Sequence, residues 1–350
     1  MSFGSLNSSL ATKDSEIQSA PTDTVSELRF SPKANYLAGS SWDNQTRIWE
    51  VASNGQSIPK AAIQHEAPVL CVDWAPDGSK VFSGGCDKAG RLLDLATGQS
   101  AQVAAHDAPI RSCRFIEGPG NSPLVVTGSW DKTMKFWDLR SQTPAHTYQL
   151  PDRCYVMDSY GPMLVVGTAD RNLLIFSNSN LAAPFKTMPS PLKFQTRSLA
   201  CMPTAVPTDM GFCLGTIEGR IQIQYIEDNK TPARSFSFKC HRKETEVYAV
   251  NSISFHPVYG TFASCGSDGT MNFWDGNSKQ RLKGFNSVGA PITASAFNGD
   301  GSIFAYSIGY DWSKGYEQHK QGSKVAICLH SVNPMDVKPK PPAAKPTKRY

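Results

Sequence analysis

A chain of 350 residues has room for two or three ordinary domains or for one large repeat architecture, and its 40% hydrophobic content excludes a chain disordered throughout. Charged residues reach only 19% while Gly and Pro are plentiful, a balance that favours many short strands joined by turns over long solvated helices. The net charge of +5 gathers at the carboxyl end, where Lys338, Lys340, Lys345, Lys348 and Arg349 face only Asp336, so any basic site in the folded part must be a local patch.

The nine cysteines are scattered and odd in number, without a CxxC pair, so neither a disulfide framework nor a zinc site is expected. A reducing compartment, cytosol or nucleus, follows. Residues 1–20 are Ser-rich and lack an apolar stretch, and nowhere do eighteen apolar residues run together, so neither a secretion signal nor a membrane span is expected. The sequons at Asn7, Asn44 and Asn229 then carry no weight.

In chain order, residues 1–13 read as a flexible extension, residues 14–332 as the folded body and residues 333–350 as a flexible basic Pro/Lys-rich tail. Within the body, YLAGSSWDNQTRIWE, VFSGGCDKAGRLLD, VVTGSWDKTMKFWD and TFASCGSDGTMNFWD are copies of one unit. Turn acids recur at Asp43, Asp87, Asp131, Asp170, Glu218, Asp268 and Asp311, with gaps of 44, 44, 39, 48, 50 and 43 residues. That is the period of a four-stranded propeller blade. The fold expected is therefore an all-β propeller of seven blades. Residues 14–20 are the natural donor of an outer strand to the last blade, which would close the ring and remove a free sheet edge.

Six residues after each of the first six acids stand Trp49, Leu93, Trp137, Phe176, Gln224 and Trp274, four of them aromatic, at the end of an alternating strand. Four residues before three of the acids stand Ser83, Thr127 and Ser264, each preceded by a histidine, His65, His106 or His241. These sets resemble the structural tetrad of the WD-repeat family, in which Trp, Ser/Thr, His and Asp form a buried hydrogen-bond chain. His106, Thr127, Asp131 and Trp137 make one full set, and His241, Ser264, Asp268 and Trp274 another. Blade two has His65, Ser83 and Asp87 but Leu93 for tryptophan, and blades four, five and seven are degenerate. A Ser-His-Asp catalytic site is rejected, because a nucleophile is needed once and these residues repeat. A propeller hydrolase or metal enzyme would need carboxylates or histidines converging in the channel, whereas the inner strands read as mainly Ser, Cys, Val, Ile and Ala. No catalytic residue, cofactor or metal is expected.

Taken together, SWDNQTRIWEV, GSWDKTMKFWDLR, KFQTRSLA, GTIEGRIQIQYI, FSFKCHRKE and above all YDWSKGYE resemble the messenger-RNA export factors of the nuclear pore, over residues 14–332. The resemblance implies a non-catalytic adaptor of the nucleus and nuclear envelope, shuttling to the cytoplasm, that binds the GLEBS hairpin of a Phe-Gly-repeat nucleoporin and single-stranded RNA. A cousin, the spindle-checkpoint propeller that binds GLEBS segments of checkpoint kinases, shares the SWD and IEGR turns but not YDWSKG. The alternative function is that of a mitotic checkpoint adaptor.

By that resemblance Arg220 of the IEGR turn receives the acidic side chains of the GLEBS segment, its guanidinium fork suiting a carboxylate. Trp42 is expected as a second contact, against the simpler expectation that it packs on a neighbouring loop. RNA would lie at the positions matching Phe238, Trp274, Lys279 and Arg281. Lys239, Arg242 and Lys243 extend that patch by composition, since cations beside aromatics combine phosphate attraction with base stacking. Trp274 is then both a tetrad member and a candidate RNA contact, and the loop after Arg242 is shorter than in the family.

Overall fold

The computed structural model describes residues 14–204, 206–228, 233–318 and 324–340. Among them the chain forms seven four-stranded antiparallel sheets and one two-stranded hairpin, Arg242–Lys243 with Glu246–Val247. The innermost strands are Val25–Phe30, Val69–Trp74, Ile110–Glu117, Cys154–Tyr160, Thr196–Cys201, Val250–Phe255 and Ile292–Phe297. Each packs against the next, and the last packs against the first, so the sheets stand radially around a channel as the repeat period requires.

Two local devices recur in every blade. At the turn between the second and third strands, the residue after the acid has positive φ in all seven cases: Asn44, Lys88, Lys132, Arg171, Gly219, Gly269 and Trp312, between 61° and 71°. In the six aspartate turns the carboxylate accepts the amide N–H two residues ahead, at 2.8 to 3.3 Å. This is why an aspartate marks the position, since its short side chain closes the turn on its own backbone. Glu218 is too long for that geometry, and Gly219 supplies the left-handed residue instead.

The second device is a bulge. Each inner strand slips register around its second residue, namely Ser26, Leu70, Arg111, Tyr155, Arg197, Asn251 and Thr293. Bulges re-aim side chains, and six of these seven residues line the mouth of the channel.

Apolar clusters fill the wedges between blades. Val126, Met134 and Phe136 of blade three meet Met157, Leu164 and Val166 of blade four, and Leu28 and Trp49 of blade one meet Ala305 and Ile327 of blade seven. Each fully buried side chain of this size contributes about 1.5–3 kcal/mol.

The ring closes as the sequence predicts. Ser15–Glu16 pairs with Ala326–Ser331, making the outer strand of the sheet that also contains Ile292–Phe297 and Ile303–Ile308. Ile17 is buried, its amide donates to the Ile327 carbonyl at 2.9 Å, and the Trp49 indole donates to the Gln18 carbonyl at 2.9 Å. The Asp14 side chain is fully buried, accepting from the Tyr306 hydroxyl at 2.8 Å and meeting the His330 ring at 2.6 Å. Burial pushes the Tyr306 hydroxyl well above the ordinary phenol range, so it stays a donor.

Residues 1–13 and 341–350, expected to be flexible, lie outside the described residues. Residues 333–340, assigned to the tail in sequence, are instead partly built into the body. Pro334–Val337 makes a helical turn capped by the Asn333 side chain, Val337 is buried, and its carbonyl accepts from Thr261 at 2.7 Å. One apolar residue among Lys and Pro is the anchor.

Replacing Asp14→Ala should strand the Tyr306 hydroxyl and the His330 ring and destabilise the protein by about 2–4 kcal/mol in urea denaturation. Asp14→Asn should recover part of the loss, and equal stability of all three proteins would detach Asp14 from ring closure.

Candidate interaction surfaces

The tetrad residues come together as buried chains. In blade three the Trp137 indole donates to Thr127 Oγ1 at 2.8 Å, Thr127 meets His106 Nε2 at 2.7 Å, and His106 Nδ1 meets Asp131 at 2.8 Å. Blade six repeats this through Trp274, Ser264, His241 and Asp268 at 2.8, 2.8 and 2.9 Å. Blade two keeps His65 between Ser83 and Asp87, both at 2.9 Å, with Leu93 where an indole would donate. Burial opposes ionisation of Asp87, Asp131 and Asp268, yet hydrogen bonds from their histidines and backbone hold all three below the usual carboxylate range. These hydroxyls and rings are bonded to one another within their own blades. Blade one departs from the scheme: Gly39 stands at the hydroxyl position, Trp49 turns to Gln18, and Asp43 is held by Arg47 at 2.6 Å.

The channel is not the Ser- and Ala-lined space that the sequence suggests. Glu27 and Arg29 of blade one, Asp73 of blade two, Arg114 of blade three and Asp158 of blade four converge in it. Arg114 reaches Asp158 and Glu27 at 2.8 Å each, and Arg29 reaches Asp158 at 2.9 Å. Each carboxylate also accepts one backbone amide, Glu27 from Val72 at 3.1 Å, Asp73 from Phe115 at 2.7 Å and Asp158 from Cys201 at 2.8 Å. Burial pushes the Asp73 carboxyl up. Against the same cost of burial, the two guanidiniums hold Glu27 and Asp158 down. Three carboxylates do converge, contrary to expectation, but Glu27 and Asp158 are clasped by Arg29 and Arg114, and Asp73 accepts the Phe115 amide. Inward positions of alternating strands put one or two of these charges on each of four blades, and only ring closure assembles the set.

The blade face that carries the acid turns holds both residues assigned to the nucleoporin. Arg220 is about one-third exposed, and its Nε lies 3.3 Å from Glu218. Arg242, assigned to the RNA patch, sits here too, with its Nη2 2.7 Å from the Glu218 carbonyl and 3.9 Å from the same carboxylate. Two guanidiniums therefore share one acid. Trp42 stacks on Trp312 with centroids 5.1 Å apart and planes 22° apart, and Tyr310 packs on Trp312 at 5.5 Å. Trp42 thus packs on the YDWSKG loop, with Trp312 held at φ 61° between the two rings. Sequence reasoning missed the bulge residues on this face. Arg111 and Arg197 flank Tyr155 at the channel mouth, and the Arg153 guanidinium lies 5.6 Å from the Tyr155 ring centre. Among the described residues none of these three arginines is ion-paired with a carboxylate; Arg197 bonds only the Asn251 amide oxygen and the Asp311 carbonyl, at 3.3 and 3.4 Å. Burial, then the nearby Arg111 guanidinium, draws Arg197 below the ordinary arginine value. The regular bulge position was the signal that could have found them.

The flank between blades five and six carries the aromatic patch. Phe238 packs on Trp274 with ring centres 4.8 Å apart and on Phe236 at 6.1 Å, all three half-buried. Lys279, at a left-handed turn position (φ 57°), places its ammonium 4.5 Å from the Phe236 centroid, and Arg281 stands in register beside Trp274. Phe238, Trp274, Lys279 and Arg281 are therefore brought together. Lys239, paired in register with Arg220, belongs with Arg242 and Lys243 to the acid-turn end of the blade.

This architecture is that of a WD-repeat β-propeller. The WD domain, G-beta repeat family matches residues 14–50, 59–94, 98–138 and 233–275, which hold the acid turns of blades one, two, three and six. Over nearly its whole length the chain is similar to the Poly(A)+ RNA export protein of Schizosaccharomyces pombe, 51% identical over 94% of this chain and 93% of that one. It is also similar to mRNA export factor GLE2 of Chaetomium thermophilum, at 49% over 95% and 94%, and to Protein Rae1 of Drosophila melanogaster, at 46% over 94% and 97%. The chain belongs to this family of messenger-RNA export propellers.

Thr127→Val should orphan two buried groups, the Trp137 indole and His106 Nε2, at a cost of about 2–4 kcal/mol, whereas Ser83→Ala should orphan one and cost about 1–3 kcal/mol. Chemical denaturation of both variants checks the order, and a reversed order would deny the indole its part in the chain.

Proposed function

We propose that the protein is a non-catalytic adaptor of messenger-RNA export that works in the nucleus and at the nuclear pore, shuttling to the cytoplasm. In this reading the GLEBS hairpin of a Phe-Gly-repeat nucleoporin lies on the acid-turn face and single-stranded RNA on the flank of blades five and six. The observation that carries the reading is the excess of guanidinium on the acid-turn face: Arg220 and Arg242 share one Glu218, and Arg111, Arg153 and Arg197 are not ion-paired with any carboxylate among the described residues. Such groups favour an acidic segment, because a guanidinium fork meets a carboxylate with two parallel hydrogen bonds. The stacked Trp42 and Trp312 at the far side of the channel offer such a segment an aromatic slab. The names of the relatives, which speak of RNA export, agree with the flank patch, where Lys279 and Arg281 would hold phosphates beside the Phe238 and Trp274 rings. Trp274 would offer only an edge to RNA, its indole N–H being engaged by Ser264. Glu27 and Asp158 in the channel are engaged by two arginines and by backbone amides, which disfavours a hydrolytic reading.

Arg220→Glu should weaken a synthetic nucleoporin GLEBS peptide at least about tenfold in calorimetry while leaving the thermal midpoint unchanged. Equal affinity would remove Arg220 from the site. Tighter binding of a checkpoint-kinase GLEBS peptide by the wild-type protein would favour the mitotic function instead. For the flank, Lys279→Glu with Arg281→Glu should lower RNA affinity across sequences and flatten its salt dependence by about 0.7 per lost phosphate contact. A salt slope equal to that of the wild type would count against the patch.

A further inference from the structure

At the end of the blades opposite the acid turns, a second concavity of about 410 Å³ opens between blades five and six. Its base is apolar and aromatic, formed by Met202, Tyr225 and Phe255 of a single cluster that also contains Phe236, Phe238 and Trp274. Its rim is polar. On one side the Arg234 guanidinium lies 4.0 Å from the Tyr225 ring centre, fixed by Asp209 and by the Thr208 carbonyl. On the other stands the exposed Asn277, whose Oδ1 receives the Tyr225 hydroxyl at 3.5 Å. Asn277 lies in the same turn as Lys279, so the pocket begins where the cation and aromatic patch ends.

We propose that this pocket accepts one base of the single-stranded RNA whose phosphates Lys279 and Arg281 hold, and that it prefers a base with an exocyclic amine to uracil. The proposal rests on the RNA reading above and adds a base site to it. The volume lies within the range of small-ligand pockets. A base entering it meets the outer face of the Arg234 plane, and guanidinium planes stack on bases as aromatic rings do. Asp209 engages Arg234 through Oδ1, and its side chain is 45% exposed, so Oδ2 is an acceptor for an amine on adenine or cytosine. The carbonyl at the same place on uracil would set acceptor against acceptor. Asn277 Nδ2 donates to a ring nitrogen beside that amine, which is one half of the bidentate pairing by which asparagine reads adenine, Asp209 supplying the acceptor half. A protein segment with an apolar anchor would use the base of the pocket but would leave the opposed Asp209 acceptor and Asn277 donor idle.

The test is fluorescence anisotropy with labelled rA, rC and rU oligomers of about ten nucleotides and an abasic oligomer of the same length. The wild-type protein should bind rA and rC more tightly than rU, with the abasic strand weaker than all three by about fivefold or more. Asn277→Ala should cut the preference for rA over rU about three- to tenfold while leaving abasic binding and the thermal midpoint unchanged. Tyr225→Phe, which frees Asn277 from its anchoring hydroxyl and keeps the core intact, should reduce the preference in the same direction. Equal wild-type affinity for rA, rC and rU, or a preference untouched by Asn277→Ala, would overturn the base site. Loss of abasic binding in the Lys279→Glu, Arg281→Glu variant would keep the phosphate reading standing in that case, whereas charge reversal without effect on any oligomer would remove the RNA reading itself.

Discussion

At each turn that joins the second and third strands of a blade, an acid precedes a residue in the left-handed region, and in six blades its oxygen closes the turn on the backbone two residues ahead. The turn sets the register of the two strands it joins, and a one-residue slip would exchange the buried and exposed faces of both. Where the same carboxylate also receives a histidine, the turn is tied to the loop entering the blade and to a Ser or Thr, and in blades three and six through it to the third-strand tryptophan. Local backbone geometry and long-range rigidity thus pass through one side chain. The outcome is a face of seven fixed turns on which the adjoining residues are free to vary.

That division explains where recognition can reside. The buried polar groups of the tetrads are bonded within a blade, and the arginines and carboxylates of the channel are bonded between blades. Satisfied networks rigidify and leave nothing to offer a ligand. The groups with capacity to spare stand next to the fixed positions: Arg220 two residues from Glu218, the arginines beside Tyr155 thrown inward by bulges, and Lys279 at its left-handed turn. The two proposed surfaces differ in their cations: the acid-turn face gathers guanidinium, with Tyr155 beside Arg153 and the Trp42 and Trp312 stack across the channel, whereas the flank sets an ammonium against phenylalanine rings.

The blade count, the tetrads and the closing strand were legible in the sequence because each rests on short-range spacing that one chain displays. Asp43 to Asp311 repeat visibly since each turn needs the same side chain for the same local reason. The channel clasp was not legible, because Glu27, Asp73, Arg114 and Asp158 are isolated charges in apolar strands and become neighbours only when four blades meet. Trp42 was ambiguous for a related reason: its partner, Trp312, lies on the last blade. Arg242 was read together with Phe236 because FSFKCHRK is one basic and aromatic run, while strand direction carries Arg242 to the acid-turn end of the blade beside Glu218. Val337 shows the limit of composition, since a single apolar residue in a Lys- and Pro-rich stretch was enough to fold a turn onto blade six.

The use of residues 14–17 in the last sheet has a bearing on how the molecule is made. Asp14 and Tyr306 are 292 residues apart, and Asp14 and His330 are 316 apart. On a ribosome the first of these partners emerges long before the second exists, so every nascent intermediate is an open arc with an unfilled blade edge at each end. Such long-range pairing is slow, and both edges are exposed to other chains meanwhile. The strand at Ser15–Glu16 is therefore made long before the one it pairs with, and it can be seated only once Ala326–Ser331 is in place.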